Sequence, residues 1–325
     1  MSDERKWFLG VDGGQSSTVA VIGDESGAVR GVGKGGPCNH VSTAEARERF
    51  LSAAGGAVRA AEEAAGCIGV RYEAACFGLS GGPHDKEALA MEIAPAHHYL
   101  MTTDAHVALT GATGGEPGII AVAGTGSIAY GRNAAGQTAR AGGWGYAIGD
   151  EGGAFDIVRQ ALRAALRFEE GWGPATHLRD VLLLATGARD THDLVHRFYT
   201  QEYPKARIAS YGPLVDETAR QGDPVAREIL MTSAQALATF VAAVRRQIFH
   251  RGEPVDVSYA GGVFGSHMLL ERFRLIVELE SEGRVHPPKL GPAAGALIDA
   301  YRLAGIHAHP HDSLGHLRGH KHAED

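Results

Sequence analysis

Apolar positions along the chain follow two alternating rhythms, short runs suited to buried strands and longer stretches with a helical period. The runs at 7–12, 18–22 and 29–34 read as three strands in a meander, separated by glycine-rich or Asp/Gly turns. The stretch 42–65 then reads as a crossover helix: Ser42 is a candidate N-cap, Glu45 sits at the capping-box position, and Phe50, Leu51, Ala54 and Val58 share a face. Strands are expected at 74–79 and 99–103, with a helix over 85–93 between them. After Gly114-Gly115 the rhythm restarts, with strands at 118–123 and 127–131, an aromatic and glycine-rich stretch over 140–147, and a long helix from about Asp150. Helices dominate 153–250, followed by a buried strand at 255–260 and helices over 265–279 and 292–303. Two α/β lobes that each open on a short hairpin fit a duplicated fold with a cleft between the lobes.

The boundaries implied are a first lobe over 1–113, a second over 114–305, with the helix at 292–303 able to pack back on the first, and a disordered tail over 306–325. That tail carries six histidines without apolar periodicity, a composition that does not by itself build a metal site. At 325 residues and 44% hydrophobic, the chain is long enough for two ordinary cores. A net charge of -7 supplies no basic surplus for nucleic-acid phosphates or an anionic membrane, so neither is an expected partner. The start of the chain is polar and no run approaches about 18 apolar residues, which points to the cytoplasm. Cys38, Cys67 and Cys76 form no C-x-x-C pair and read as reduced packing residues.

Chemistry concentrates in turns. Asp12 ends the first strand and is followed by Gly13, Gly14, Gln15, Ser16, Ser17 and Thr18, so that backbone N–H groups and hydroxyls could turn toward a phosphate while the carboxylate faces Mg2+. The same segment also reads as a plain two-glycine hairpin. Gly124-Thr125-Gly126-Ser127 is a second such turn. Gly124-x-Gly126-x-x-Ala129 matches a dinucleotide fingerprint, but the segment continues as strand where that motif opens a helix, and no G-x-x-x-x-G-K-[ST] is present. Asp104 follows a strand, the place of a general base for a sugar hydroxyl or of a helix N-cap. Residues 142–153 combine Trp144, Tyr146, glycines, Asp150 and Glu151, a mixture that suits carbohydrate, although Asp150 could equally cap the next helix. Asn39-His40 reads as an ordinary turn or as further polar contacts, and Gly261-Gly262 as a helix-start turn or as room for an adenine ring.

Taken together, GVDGGQSST at 10, TTDA at 102, AGTGS at 123 with GGWGYAIGDEGG at 142, and AGGVFGS at 260 resemble the N-acetylglucosamine kinase branch of the actin, hexokinase and heat-shock chaperone ATPase superfamily, within its BadF/BadG/BcrA/BcrD group. The resemblance spans about 7–304. It implies two actin-like, ribonuclease H-like lobes around a nucleotide and sugar cleft, ATP and Mg2+ as cofactors, a small-molecule sugar substrate and a homodimer. It assigns Asp104 as base, Asp12 to Mg2+ directly or through water, and Gly13, Gly14, Gln15, Ser16, Thr18, Gly124, Thr125 and Gly126 to the phosphates. Thr218, Gly261, Gly262 and Ser266 fall to the nucleoside. Asn39, His40, Asp104, Ser127, Ile128, Gly143, Trp144, Gly145, Tyr146, Ala147 and Asp150 fall to N-acetylglucosamine or a related amino sugar, whose 6-hydroxyl is the acceptor. The same broad family includes reductase-activating ATPases that hold an iron–sulfur cluster on cysteines, and the three cysteines here are not arranged like those ligands.

Overall fold

The alternation of strands and helices folds as two five-stranded sheets, seen in a computed structural model that describes residues 5–14, 17–38, 44–81, 86–200, 203–280 and 283–311. The first sheet is built from β1 (Trp7–Gly13), β2 (Thr18–Asp24), β3 (Val29–Gly35), β4 (Tyr72–Leu79) and β5 (Ala96–Thr102), ordered β3-β2-β1-β4-β5. β1 to β3 form an antiparallel meander, while β4 and β5 run parallel to β1. The second sheet contains β6 (Gly118–Ala123), β7 (Ser127–Arg132), β8 (Thr138–Gly142), β9 (Val255–Ala260) and β10 (Gly283–His286), ordered β10-β9-β6-β7-β8. It is the same order of successive strands, so the duplication hinted at by strand and glycine spacing is present in topology. β8 and β10 had no counterpart in the sequence reading; both are short edge strands whose outward residues are polar.

The helices are α1 (Ala44–Phe50), α2 (Gly56–Ala65), α3 (Glu87–Ile93), α4 (Asp104–Thr113), α5 (Ala154–Glu169) and α6 (Leu178–Thr186). They continue as α7 (Thr191–Phe198), α8 (Lys205–Ala209), α9 (Gly212–Arg220), α10 (Pro224–Ile248), α11 (His267–Glu280) and α12 (Pro292–Leu303). The single crossover helix expected over 42–65 is instead α1 and α2 joined through a π-helical turn, Leu51–Gly55, an insertion that keeps Phe50, Ala54 and Val58 buried. Ser42 and the Glu45 side chain lie outside the described residues.

The chain divides into two compact units, residues 1–118 with 287–325, and residues 119–286. In the first, successive residues of each strand serve opposite faces. Leu9, Ile22 and Phe77 join the cluster under α2, while Phe8, Val21 and Cys76 join the one under α12 with Val107, Leu297 and Tyr301. Strands covered on both faces require near-continuous apolar runs, which β1, β2 and β4 have. The helices lie close enough that backbone touches backbone. A Cβ on Gly31 or Gly33 of β3 would overlap carbonyls of α2, one on Gly35 the Ala53 carbonyl of the π-helical turn before it, and one on Gly10 would overlap α12. The second unit has its own core, centred on Leu237, Val241 and Val244 of α10, with Ile119, Val257 and Phe273. Residues beyond α12 return along Gly27–Val29: the Val29 N–H donates to His311 O at 3.3 Å and the His311 N–H to Gly27 O at 3.0 Å. Residues 312–325 lie outside the described residues. Cys38, Cys67 and Cys76 are all free and buried.

Candidate active site

In the first unit, parallel pairing brings three strand ends level. Asp12 of β1 is in register with Gly78 of β4, and Gly78 with Thr102 of β5, so the C-terminal ends of these strands carry Asp12, Ser80 and Asp104 at one sheet edge. The turn after β1 is anchored by its backbone. The Gly14 N–H donates to Ser17 O, the Cys38 N–H to Gly14 O and the Ser80 N–H to Gly13 O, each at 2.9 Å. Gly13 packs closely: a Cβ there would lie 2.7 Å from Leu79 Cδ2, so that methyl would have to shift. Thr18 is buried; its hydroxyl donates to Gly36 O at 2.7 Å and lies 2.8 Å from Cys38 Sγ, which braces the turn. Gln15, Ser16, Asn39 and His40 lie outside the described residues.

Asp104 is not the cap of α4. Thr103, extended at φ -93° and ψ 157°, is the N-cap and its Oγ1 accepts the His106 N–H at 3.3 Å. That leaves Asp104 as the first helical residue, with Oδ1 accepting the Ala105 N–H at 2.9 Å. Burial raises its carboxyl above the usual carboxylate range, opposed by bonds from the Ala105 N–H and the Ser80 hydroxyl and by the charge of Lys86. Asp12, half-buried yet closely surrounded by protein, is pushed up to about 7 by burial and then by the negative charge of Asp104. Lys86, with no exposed surface, donates from Nζ to Ser80 O at 3.1 Å.

In the second unit the turn between β6 and β7 caps a helix with its carbonyls. The Gly124 N–H donates to Gly126 O, while Gly124 O and Thr125 O accept the first N–H groups of α5, from Ala154 at 2.8 Å and Phe155 at 3.1 Å. The helix expected from Asp150 therefore starts at Ala154, and Asp150 does not cap it. Asp150 instead sits in the left-handed region at φ 63°, uncommon for a residue with a side chain although aspartate enters it more readily than most. Its Oδ1 accepts the Gly145 N–H at 3.3 Å, and its Oδ2 occupies the space a Cβ on Gly126 would take. The Ser127 hydroxyl donates to Glu151 O at 2.6 Å, the Gly143 N–H to Ser127 O at 2.8 Å, and Ile128 packs on Gly143. Gly124, Thr125, Gly126, Ser127, Ile128, Gly143, Gly145 and Asp150 thus form one assembly.

Trp144 and Tyr146 project from this loop, 65% and 48% exposed, with Ala147 following. Arg140 lies over Trp144 at 4.5 Å, and Phe155 meets Tyr146 edge-on at 5.1 Å. The loop is tied to α5 through Asp156, which accepts the Gly152 N–H, Arg159 and Gln160. Arg159 also donates to Tyr146 O at 3.0 Å. Gly261, at φ 101°, lets the end of β9 lie against Ala123 O and Gly124 N, which carries Gly262 alongside the β6 turn. Ser266 donates to Asp216 of α9, while Thr218, two residues on, is buried with its hydroxyl on Leu214 O at 2.7 Å. Ser127–Arg132 is strand, so the G-x-G-x-x-A match does not open a helix.

Ser80, Lys86, Asp156, Arg159 and Asp216 were absent from the sequence reading. Ser80-Gly81 directly after a strand carried the same signature as the other turns, whereas nothing in the letters marked Lys86. Among the described residues no three His, Cys, Asp or Glu side chains converge as a metal site, and no helix is long and apolar enough to cross a membrane.

A model of the BadF/BadG/BcrA/BcrD ATPase family matches residues 9–300. A Clostridium acetobutylicum protein named N-acetylmuramic acid/N-acetylglucosamine kinase is 32% identical over 306 residues, covering 91% of this chain and 98% of that one. An N-acetyl-D-glucosamine kinase of Dictyostelium discoideum is 31% identical over 274 residues, covering 78% and 84%. A solved structure of a candidate N-acetylglucosamine kinase from Chromobacterium violaceum aligns with a TM-score of 0.74 at 27% identity, covering 90% of this chain and 98% of that chain. The two sheets are accordingly those of an α/β fold with two actin-like lobes.

Proposed function

The chain belongs to the BadF/BadG/BcrA/BcrD ATPase family, and on that premise we propose that it is an amino-sugar kinase, transferring the γ-phosphoryl group of ATP to the 6-hydroxyl of N-acetylglucosamine or a close relative. The named activities of the two similar proteins support this reading. The observation that carries it is Asp104, a carboxyl at a strand end whose burial lifts it toward the working range of a general base while hydrogen bonds and Lys86 oppose protonation. Asp104 takes the hydroxyl proton as the sugar oxygen bonds to the γ-phosphorus and the bond to the β-phosphate oxygen breaks, releasing ADP. Such a transfer needs positioning and charge neutralisation more than covalent chemistry.

Gly13, Gly14, Gln15, Ser16 and Thr18 serve the phosphates in this reading, as do Gly124 to Gly126. Thr218, Gly261, Gly262 and Ser266 serve the nucleoside. Asn39, His40, Ser127, Ile128, Gly143 to Ala147 and Asp150 serve the sugar. Asp12 fits an oxygen-preferring divalent cation, since a carboxyl pushed up to about 7 in its absence is one that a cation would stabilise. Bound Mg2+ supplies neutralisation of the phosphate charge. Asp12 would share that ion with water and the nucleotide. The cytoplasm and a homodimer belong to the same reading, supported by the family resemblance.

The test is Mg-ATP turnover over N-acetylglucosamine, glucosamine, N-acetylmannosamine, N-acetylmuramate and glucose, with products identified by mass. A sugar 6-phosphate from the wild type, with kcat lower by about 10²- to 10⁴-fold in Asp104→Asn and nucleotide binding retained, is the expected result. ATP hydrolysis without a sugar phosphate would shift the reading to a regulatory ATPase.

A further inference from the structure

Residues 143–153 contain neither helix nor strand, so their shape is set by what they are tied to. The ties converge on the first turns of α5. Asp156 Oδ2 accepts the Gly152 N–H at 3.1 Å, and Tyr146 O accepts Arg159 Nη1 at 3.0 Å. The two side chains are joined in turn, Arg159 Nη2 to Asp156 Oδ1 at 2.6 Å, and Gln160 Nε2 adds a bond to Asp156 Oδ2 at 2.8 Å. Spacings of three and four residues put Asp156, Arg159 and Gln160 on one face of the helix. Asp156 is buried, so its bonds to a charged donor are stronger than surface ones and leaving it without them is costly. One ion pair therefore holds the loop at Tyr146 and again at Gly152, with Asp150 between the two points.

The same turns of α5 carry the other loop of this unit by different atoms. Gly124 O and Thr125 O are held by the backbone N–H groups of Ala154 and Phe155, at 2.8 and 3.1 Å. The Phe155 ring meanwhile stands edge-on to Tyr146 at 5.1 Å. The helix start is thus a common mount, in which main chain fixes the 124–126 turn and side chains fix the 143–153 loop. A substitution at Asp156 or Arg159 releases the second loop and leaves the hydrogen bonds of the first in place.

We propose that Asp156 and Arg159 are positioning residues for the sugar acceptor: their ion pair holds the 143–153 loop, and Asp150 within it, in register with the 124–126 turn on the same helix. The inference rests on the reading of the chain as an amino-sugar kinase. Both side chains direct their bonds to the loop, to the helix and to each other, so their loss acts on the acceptor only through the loop's position.

The experiment is the steady-state kinetics of wild type, Arg159→Gln, Asp156→Asn and the double variant, varying the sugar that the wild type phosphorylates at saturating Mg-ATP. Nucleotide Kd, Tm and the exchange rates of the Gly145 and Gly149 amides, whose N–H groups bond within the loop, are measured on each. Arg159→Gln alters a side chain that is 31% exposed, and Asp156→Asn keeps an acceptor for the Gly152 N–H while removing the charge, so both variants are suited to fold. The expected result in each single variant is a sugar KM raised about tenfold or more, a smaller fall in kcat and a nucleotide Kd changed less than about threefold. Exchange at Gly145 and Gly149 should quicken, and the double variant should be little worse than either single one, because both cut the same tie. An unchanged sugar KM, a nucleotide Kd that rises in step with it, unaltered exchange in the loop, or additive effects would each overturn the proposal. If the wild type forms no sugar phosphate, the kinase reading falls and this role with it; if it does and the variants keep its sugar KM, only the role of the ion pair fails.

Discussion

Asp12 is pushed up to about 7 from an ordinary 3.8, so in the ligand-free protein its charged form is the disfavoured one. Because the folded-state value lies above the unfolded one, the folded chain holds the extra proton between 3.8 and about 7, and stability falls as pH rises through that window. Asp12→Asn mimics the protonated form. Its melting temperature should exceed that of the wild type by a margin that opens from 3.8 to about 7 and is flat above, while kinase activity is lost; a constant margin across this range would remove Asp12 from the set of strained carboxyls. At this scale the sequence was informative where chemistry follows from residue type. Asp12, Thr125 and Asp150 each stand next to a glycine and Asp104 follows directly on a strand, and such positions are legible. It was silent on what depends on the field of distant residues. Lys86 looks like any helix-start lysine until the fold buries it with Nζ on Ser80 O, and the left-handed backbone of Asp150 has no letter of its own.

Between elements, the tightest constraint is the face of β3 that receives α2. Gly31, Gly33 and Gly35 recur at the strand period and meet Ala53, Ala57 and Ala61, so helix and strand approach at backbone distance. Gly33→Ala would set a methyl against Ala57 O with only main chain to yield. We expect a loss of about 1–3 kcal/mol or more in chemical denaturation. Gly56→Ala, in the first turn of α2 with open space where its Cβ would stand, should instead gain about 0.5–1 kcal/mol. If both substitutions cost the same, the close approach is not what fixes the glycines. Long apolar segments were legible as elements because two-sided burial leaves a continuous signal. β8 and β10 were not, since five and four residues at a sheet edge, alternately exposed, resemble loop. The π-helical turn was equally hidden, as an extra residue in a helix leaves the apolar face nearly unchanged.

In the whole molecule the chain leaves its first unit at residue 118, builds the second, and returns at 287. α12 then covers the face formed by Phe8, Val21, Cys76 and Val107, with Tyr301 against Phe8 at 4.7 Å between ring centroids. A chain ending at residue 286 should keep hydrogen-exchange protection in β6 and β9, whose core is self-contained, and lose it in β1 and β4 while binding a hydrophobic dye. Equal loss in both units would show that they fold as one. The same interruption governs how the protein is born. Translation at roughly 5–20 residues per second separates α4 from α12 by roughly 10–40 s, during which the apolar face of β1 and β4 leaves the ribosome without its cover. The first unit to be synthesised is therefore the last to be finished, and it is the natural client of whatever shields nascent chains in the cell.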